Sequence, residues 1–122
     1  MADFRNNLDK SCIETDLLLK KLARSPDLAP FGALVEPLEA HDRERRSDLV
    51  RTLRIYFAVG ANASEAAERL FLHRNSILYR LARVEELTGL DLKNPRARLA
   101  LQLGLLFASE RERSSGDEAQ HP

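Results

Sequence analysis

The segment from residue 73 to residue 83 reads His-Arg-Asn-Ser-Ile-Leu-Tyr-Arg-Leu-Ala-Arg, and no carboxylate occurs anywhere between residues 72 and 84. Its imidazole, guanidinium, carboxamide, hydroxyl and phenol groups are of the types that donate to anions and to base edges. Guanidinium suits guanine or phosphate, and carboxamide suits adenine. The acids of this region, Glu85 and Glu86, come only after the run. Each group also has a plainer reading. Arginines on a helix commonly make a solvated face, Asn75 and Ser76 suit a first helical turn as caps, and His73 suits a helix start. A solvent-facing Tyr79, one of two tyrosines in the chain, has less structural use.

Other chemistries find little to work with. His41-Asp42 is the one His–carboxylate neighbour pair, and it falls where an aspartate is expected to cap a helix. No phosphate-cradling glycine loop or nucleophile elbow occurs. The single cysteine, Cys12, excludes an internal disulfide and a multi-cysteine zinc site, and no second ligand stands at a usable spacing from His73. No catalysis, cofactor, metal or small-molecule site is expected.

The elements that must position the run are helical. At 100° per residue, Ile77, Leu81, Val84 and Thr88 fall in one narrow sector, the predicted buried stripe of a helix from Arg74 to Thr88 that Gly89 stops. Asn75, Tyr79, Ala82 and Glu86 lie opposite, Ser76 and Arg83 beside them, Arg74 and Arg80 on the shoulders. Leu78, about a quarter turn away, widens the stripe. Upstream, Asn62-Ala63-Ser64-Glu65 has the arrangement of a capping box and opens a short helix to about Phe71. Ala66 and Ala67 in it would let a second helix cross closely. A short and a long helix separated by a few residues are the layout of a helix-turn-helix.

Around this pair the chain predicts a helix from Asp42 through Leu49, Val50, Leu53, Tyr56 and Phe57 that Gly60 ends, and a last helix from Asn94-Pro95 to about Ala108. A helix over about 8–23, with Leu8, Cys12, Leu18, Leu19 and Leu22, is broken by Ser25-Pro26-Asp27. Residues 28–40 hold Pro30, Gly32 and Pro37 and are expected to make short helical turns, because an interior proline removes a donor and clashes with the preceding turn. No segment alternates with a two-residue period. The predicted fold is all-α, a small helical bundle containing a helix-turn-helix. It divides into an arm at 1–27, a domain at 28–108 and, because one alanine is the only apolar residue after position 108, a disordered tail at 109–122.

Composition bounds the partners. The 122 residues hold 19 basic and 19 acidic side chains, which excludes a uniformly basic coat but not a local basic face. No apolar run approaches the roughly 18 residues of a membrane span, and the polar N-terminus lacks a signal peptide's apolar stretch. A cytoplasmic protein without membrane contact is expected.

Several segments together carry a resemblance: Leu53-Arg54-Ile55-Tyr56-Phe57, Asn62, Ala66-Ala67-Glu68-Arg69-Leu70, His73 through Leu81, and Glu86-Leu87-Thr88-Gly89-Leu90-Asp91-Leu92. They resemble the C-terminal helix-turn-helix domain of PucR-type transcriptional regulators, which include purine-catabolism and sugar-diacid regulators. The most specific piece is His-Arg-Asn-Ser followed by Tyr-Arg, and the likeness runs from about Leu28 to Phe107. It implies a DNA-binding module acting on transcription in bacterial-type regulators, usually the output end of a longer protein. It places Arg74, Asn75, Ser76, Tyr79 and Arg80 on the recognition-helix motif. Leu78 departs from it, standing where the family usually has a basic residue. The sensory and nucleotide-cyclase-like domains that usually precede the module are not expected in this chain, which reads as a fragment, an expressed domain or a stand-alone regulator.

The helix from Arg74 is thus expected to enter the major groove of double-stranded DNA. Asn75 would meet adenine and an arginine guanine, Ser76 and Tyr79 base edges or phosphates, Arg80 and Arg83 the backbone, and Ser64 with its neighbouring amides a further phosphate. Residues 61–98 hold seven basic and five acidic residues. Such a small excess favours two copies on paired half-sites, a homodimer joined through the first helix or through Leu99, Leu103, Leu106 and Phe107. The competing expectation is a helical protein–protein interaction module on the same scaffold, with Leu78 beside Tyr79 as its apolar contact.

Overall fold

The computed structural model describes the backbone of residues 2–120 and the side chains of residues 12–113. The expectation for Leu8 lies outside the described side chains, and residues 121–122 lie outside the described chain. Among the described residues there are six α-helices and no strand, the all-α bundle that periodicity predicts. They are α1 (Ala2–Ala23), α2 (Ala29–Arg45), α3 (Leu49–Ala58), α4 (Ala63–Leu70), α5 (Arg74–Thr88) and α6 (Pro95–Gln120). A 3-10 turn over Pro26–Leu28 joins α1 to α2, started by Ser25, whose hydroxyl accepts from the Asp27 amide at 3.2 Å. None of the helices among the described residues is long and apolar enough to cross a membrane.

The core draws on five of the helices. Val35 and Leu38 of α2, Leu49 and Leu53 of α3, Ala66 and Ala67 of α4, Ile77, Leu81 and Val84 of α5, and Leu101 and Leu105 of α6 are buried together. Leu92, in the α5–α6 connection, joins them. α1 stands apart from this cluster: its Ala23 is buried, but Ile13, Leu17 and Leu18 are exposed.

Two expectations fail for the same kind of reason. Residues 28–40 do not break into short turns: α2 is one helix with Pro37 inside it. The most extensive helix pairing in the molecule is α2 on α6, and burial of Val35 and Leu38 on that side outweighs the roughly 3 kcal/mol an interior proline costs. Pro37 itself is exposed. Nor does the last helix stop at Ala108, as a disordered tail from 109 would require. α6 continues to Gln120, and its turn after Ala108 is tied to three other helices or their ends. Glu110 pairs with Arg24 at 3.1 Å, Glu112 with Arg54 at 3.5 Å, and Arg111 with Glu36 at 4.0 Å. Composition counts apolar residues within the segment, and these partners lie far away in sequence.

The α2–α6 contact is close because a glycine faces it from each side. Gly32 of α2 lies under the Phe107 ring, and Gly104 of α6 lies against the Phe31 carbonyl oxygen and Cγ2 of Val35. A methyl group at Gly104 would meet backbone, which cannot swing away as a side chain can. Gly104→Ala is expected to lower stability by about 1–3 kcal/mol, read as a shift in the urea unfolding midpoint. An unchanged midpoint would mean that the two helices have room to separate.

Candidate nucleic-acid interface

α4 and α5 form the helix-turn-helix, and local chemistry sets each boundary. The Asn62 side chain accepts from the Glu65 amide at 3.1 Å and starts α4, the Asn62 half of the expected capping box. Ala66 and Ala67 are buried, so the small side chains do lie where α4 meets its neighbours. Phe71 ends α4 in the left-handed region at φ 55°, where a side chain is costly and glycine would be easier. Its ring is nonetheless 95% exposed. The start of α5 is capped by His73, whose Nδ1 accepts from the Asn75 amide at 3.1 Å. That lone pair must be free of a proton, so the ring N–H sits on Nε2. Because the histidine supplies the cap, the side chains of Asn75 and Ser76 remain exposed.

Ile77, Leu81 and Val84 are buried, as the helical stripe predicts, with Thr88 at its partly buried end. Leu78 does not widen the buried stripe. It is 40% exposed, turned toward solvent with Asn75 and Tyr79. Tyr79 is 74% exposed. Arg80 lies partly buried on the shoulder of α5 and donates to the Thr52 hydroxyl at 3.0 Å. Thr52 in turn donates to the Asp48 carbonyl at 2.7 Å, so a buried hydroxyl on α3 fixes one edge of the guanidinium. Arg83 is paired with Glu86 at 2.6 Å. To bind a phosphate it must exchange that partner.

The structure brings five of the seven expected residues onto one wall. Asn75, Ser76, Tyr79, Arg80 and Arg83 line an open cleft of about 530 Å³. Ser64 and Arg74, though exposed, do not line it. The corner between α2 and α3 lines the same cleft, contributing His41, Arg46, Ser47 and Asp48. The sequence reading missed this corner, because Asp42-Arg43-Glu44-Arg45-Arg46 reads by itself as an ordinary charged helix surface.

Asp42 holds the corner in place. It was expected to open the helix of Leu49, Val50 and Leu53 as its cap, and it does cap that helix, but from inside α2, because α3 starts only at Leu49. Its Oδ1 accepts from the Leu49 amide at 2.8 Å and from the Ser47 hydroxyl at 2.5 Å, and its Oδ2 accepts from the Val50 amide at 3.0 Å. Since Ser47 gives its proton to Asp42, Nδ1 of His41, 2.8 Å from the same oxygen, is the donor there. Neighbours in sequence, His41 and Asp42 meet only through Ser47, in a helix cap.

Residues 49–107 match the PucR C-terminal helix-turn-helix domain. The segment belongs to that family, the DNA-binding output domain of transcriptional regulators. Among its relatives, the purine catabolism regulatory protein of Bacillus subtilis is 38% identical over 71% of this chain. The proline-responsive transcriptional activator PutR of the same organism is 36% identical over 61% of it. The carbohydrate diacid regulator of Escherichia coli is 44% identical over 52% of it. The matched parts span only 16%, 18% and 16% of those three proteins, respectively. No solved structure gives a significant match.

Removing the clamp should test how far the α2–α3 corner depends on it. Asp42→Ala leaves two amides and a hydroxyl without their acceptor and is expected to cost about 1–3 kcal/mol, measured by denaturant unfolding. A cost near zero would show that water replaces the carboxylate.

Proposed function

We propose that this chain is a sequence-specific DNA-binding protein that inserts the leading turns of α5 into the major groove of double-stranded DNA. One observation carries the reading. The half of α5 that begins at the His73 cap is exposed, free of acids from residue 72 to 84, and backed by the buried Ile77, Leu81 and Val84. A helix N-terminus with donors and no carboxylates is suited to phosphates and to the acceptor edges of bases. Asn75 reads an adenine and Arg74 a guanine, while Ser76 and Tyr79 reach base edges or phosphates. Arg80 holds the backbone, Arg83 joins it after releasing Glu86, and Ser64 meets a separate phosphate at the start of α4.

The relatives' names, which speak of transcriptional activation and regulation, support a regulatory role for the whole protein; a non-catalytic, cytoplasmic protein is the reading that goes with that role. The module begins at residue 28 and takes in α6 beyond Ala108, and residues 1–27 are an arm. Two copies act together, because one module with a small excess of positive charge binds weakly at physiological salt. The exposed Ile13, Leu17 and Leu18 of α1 are available for that contact.

Two variants separate the roles. Arg80→Ala should weaken binding to every duplex alike and lower the slope of log affinity against log salt by about 0.9. Asn75→Ala should cost roughly 1–3 kcal/mol on a preferred duplex selected from a random pool and little on random DNA. If both bound like the parent, this face of α5 would not be the contact. Sedimentation of the chain should give a dimer at high protein concentration or on a duplex with paired half-sites. A monomer under both conditions would end the two-copy reading.

A second reading has one observation behind it. Phe71, almost fully exposed beside the partly exposed Leu72, suits an apolar protein partner. Salt-insensitive binding to a protein, with no salt-dependent shift on DNA, would decide in its favour.

A further inference from the structure

The cleft beside α5 has a second wall, and that wall carries a cation that the recognition helix does not supply. Arg46 lies at the α2–α3 corner, exposed, and has no ion-pair partner among the described residues. Its backbone is in the left-handed region at φ 52°, where glycine or asparagine sits more easily. Helix termination therefore does not explain an arginine here. The corner is also rigid. Asp42 grips Ser47 and the first amides of α3 on one side of it, and Thr52 bonds the Asp48 carbonyl on the other.

Arg80 lines the same cleft from α5, with one nitrogen held by Thr52 and the rest of its guanidinium left for a ligand. The one carboxylate on the lining, Asp48, lies 3.9 Å from Arg51 on the next turn. Two guanidiniums on the lining, the Ser76 hydroxyl and an open mouth suit a charged strand passing through. A small molecule would need to be enclosed on most sides.

We propose that the sugar–phosphate backbone of the bound duplex runs through this cleft, and that Arg46 holds one of its phosphates from the α2–α3 corner. The inference rests on the DNA-binding reading and deepens it. The corner becomes a second, sequence-independent contact that sets how deeply and at what angle α5 enters the groove. Arg46 positions the helix and does not read bases.

Arg46→Gly is the informative variant, because it removes the guanidinium and suits the backbone. The full chain carrying it should keep its melting temperature or raise it. Its affinity for a selected duplex and for a random one should fall by the same factor, roughly threefold to tenfold, and the salt slope should drop by about 0.9. Arg46→Lys should retain most of the slope. A series of duplexes, each with one phosphate made neutral as a methylphosphonate, should contain one position that weakens the parent and no longer weakens Arg46→Gly.

Parent affinity and slope in Arg46→Gly would overturn the corner contact, as would a changed base preference. If Arg80→Ala alters the slope while Arg46→Gly does not, the corner contact falls and the DNA-binding reading stands. If the parent shows no salt-dependent binding to any duplex, both fall together.

Discussion

Three side chains on one edge of α5 are buried against the rest of the bundle, Ile77, Leu81 and Val84, and their burial determines what the other edge can offer. Apolar burial of that size, about 1.5–3 kcal/mol for each fully covered side chain, fixes the rotation of the helix about its own axis. Once the rotation is set, Asn75 and Tyr79 have no choice but to face outward. A helix with an equally donor-rich surface and a weaker stripe could roll, and its donors would not stay aimed. The alanines of α4 serve the same constraint, since a bulkier Ala66 or Ala67 would lift the helix that α5 leans on.

The polar parts of the molecule secure what apolar packing leaves loose. Burial does not say where a helix must begin, and here single acceptors do. Asn62 starts α4, His73 starts α5, and Asp42 starts α3 from the neighbouring helix. The last also makes the α2–α3 corner a fixed wall. Arg80 illustrates how such fixing is compatible with binding. One N–H is given to Thr52, which costs part of its donor set but orders a long side chain in advance, so less entropy is lost when an anion arrives. Arg83, engaged with Glu86, is arranged the other way and must break a contact to make one.

α2 and α6 form the platform under all of this. Their close approach at Gly32 and Gly104 supports the α2–α3 corner, and α5 in turn packs on α2, α3 and α4. The continuation of α6 past Ala108 brings Glu110 and Glu112 to Arg24 and Arg54. Each of these partly exposed pairs is worth little alone. Together they tie the stretch of α6 just past Ala108 to Arg24 at the end of α1 and to α3.

Much of the site was legible from residue order because its determinants are local. A 3.6-residue period, a cap within three positions and a glycine just past a helix end concern residues already adjacent along the chain. That is why the limits of α5, its buried edge and its acid-free leading half could be read directly. What depended on distant partners could not. Pro37 reads as a breaker until α6 covers the helix around it, Asp42 reads as the first residue of the helix it caps until α2 is seen to run through it and α3 to start at Leu49, and residues after 108 read as structureless until Arg24, Arg54 and Glu36 arrive beside them. The cleft facing α5 belongs to the same class. Arg46 stands 34 positions before Arg80 in the chain, and only the packing of α2 and α3 against α5 brings the two guanidiniums to the lining of one space.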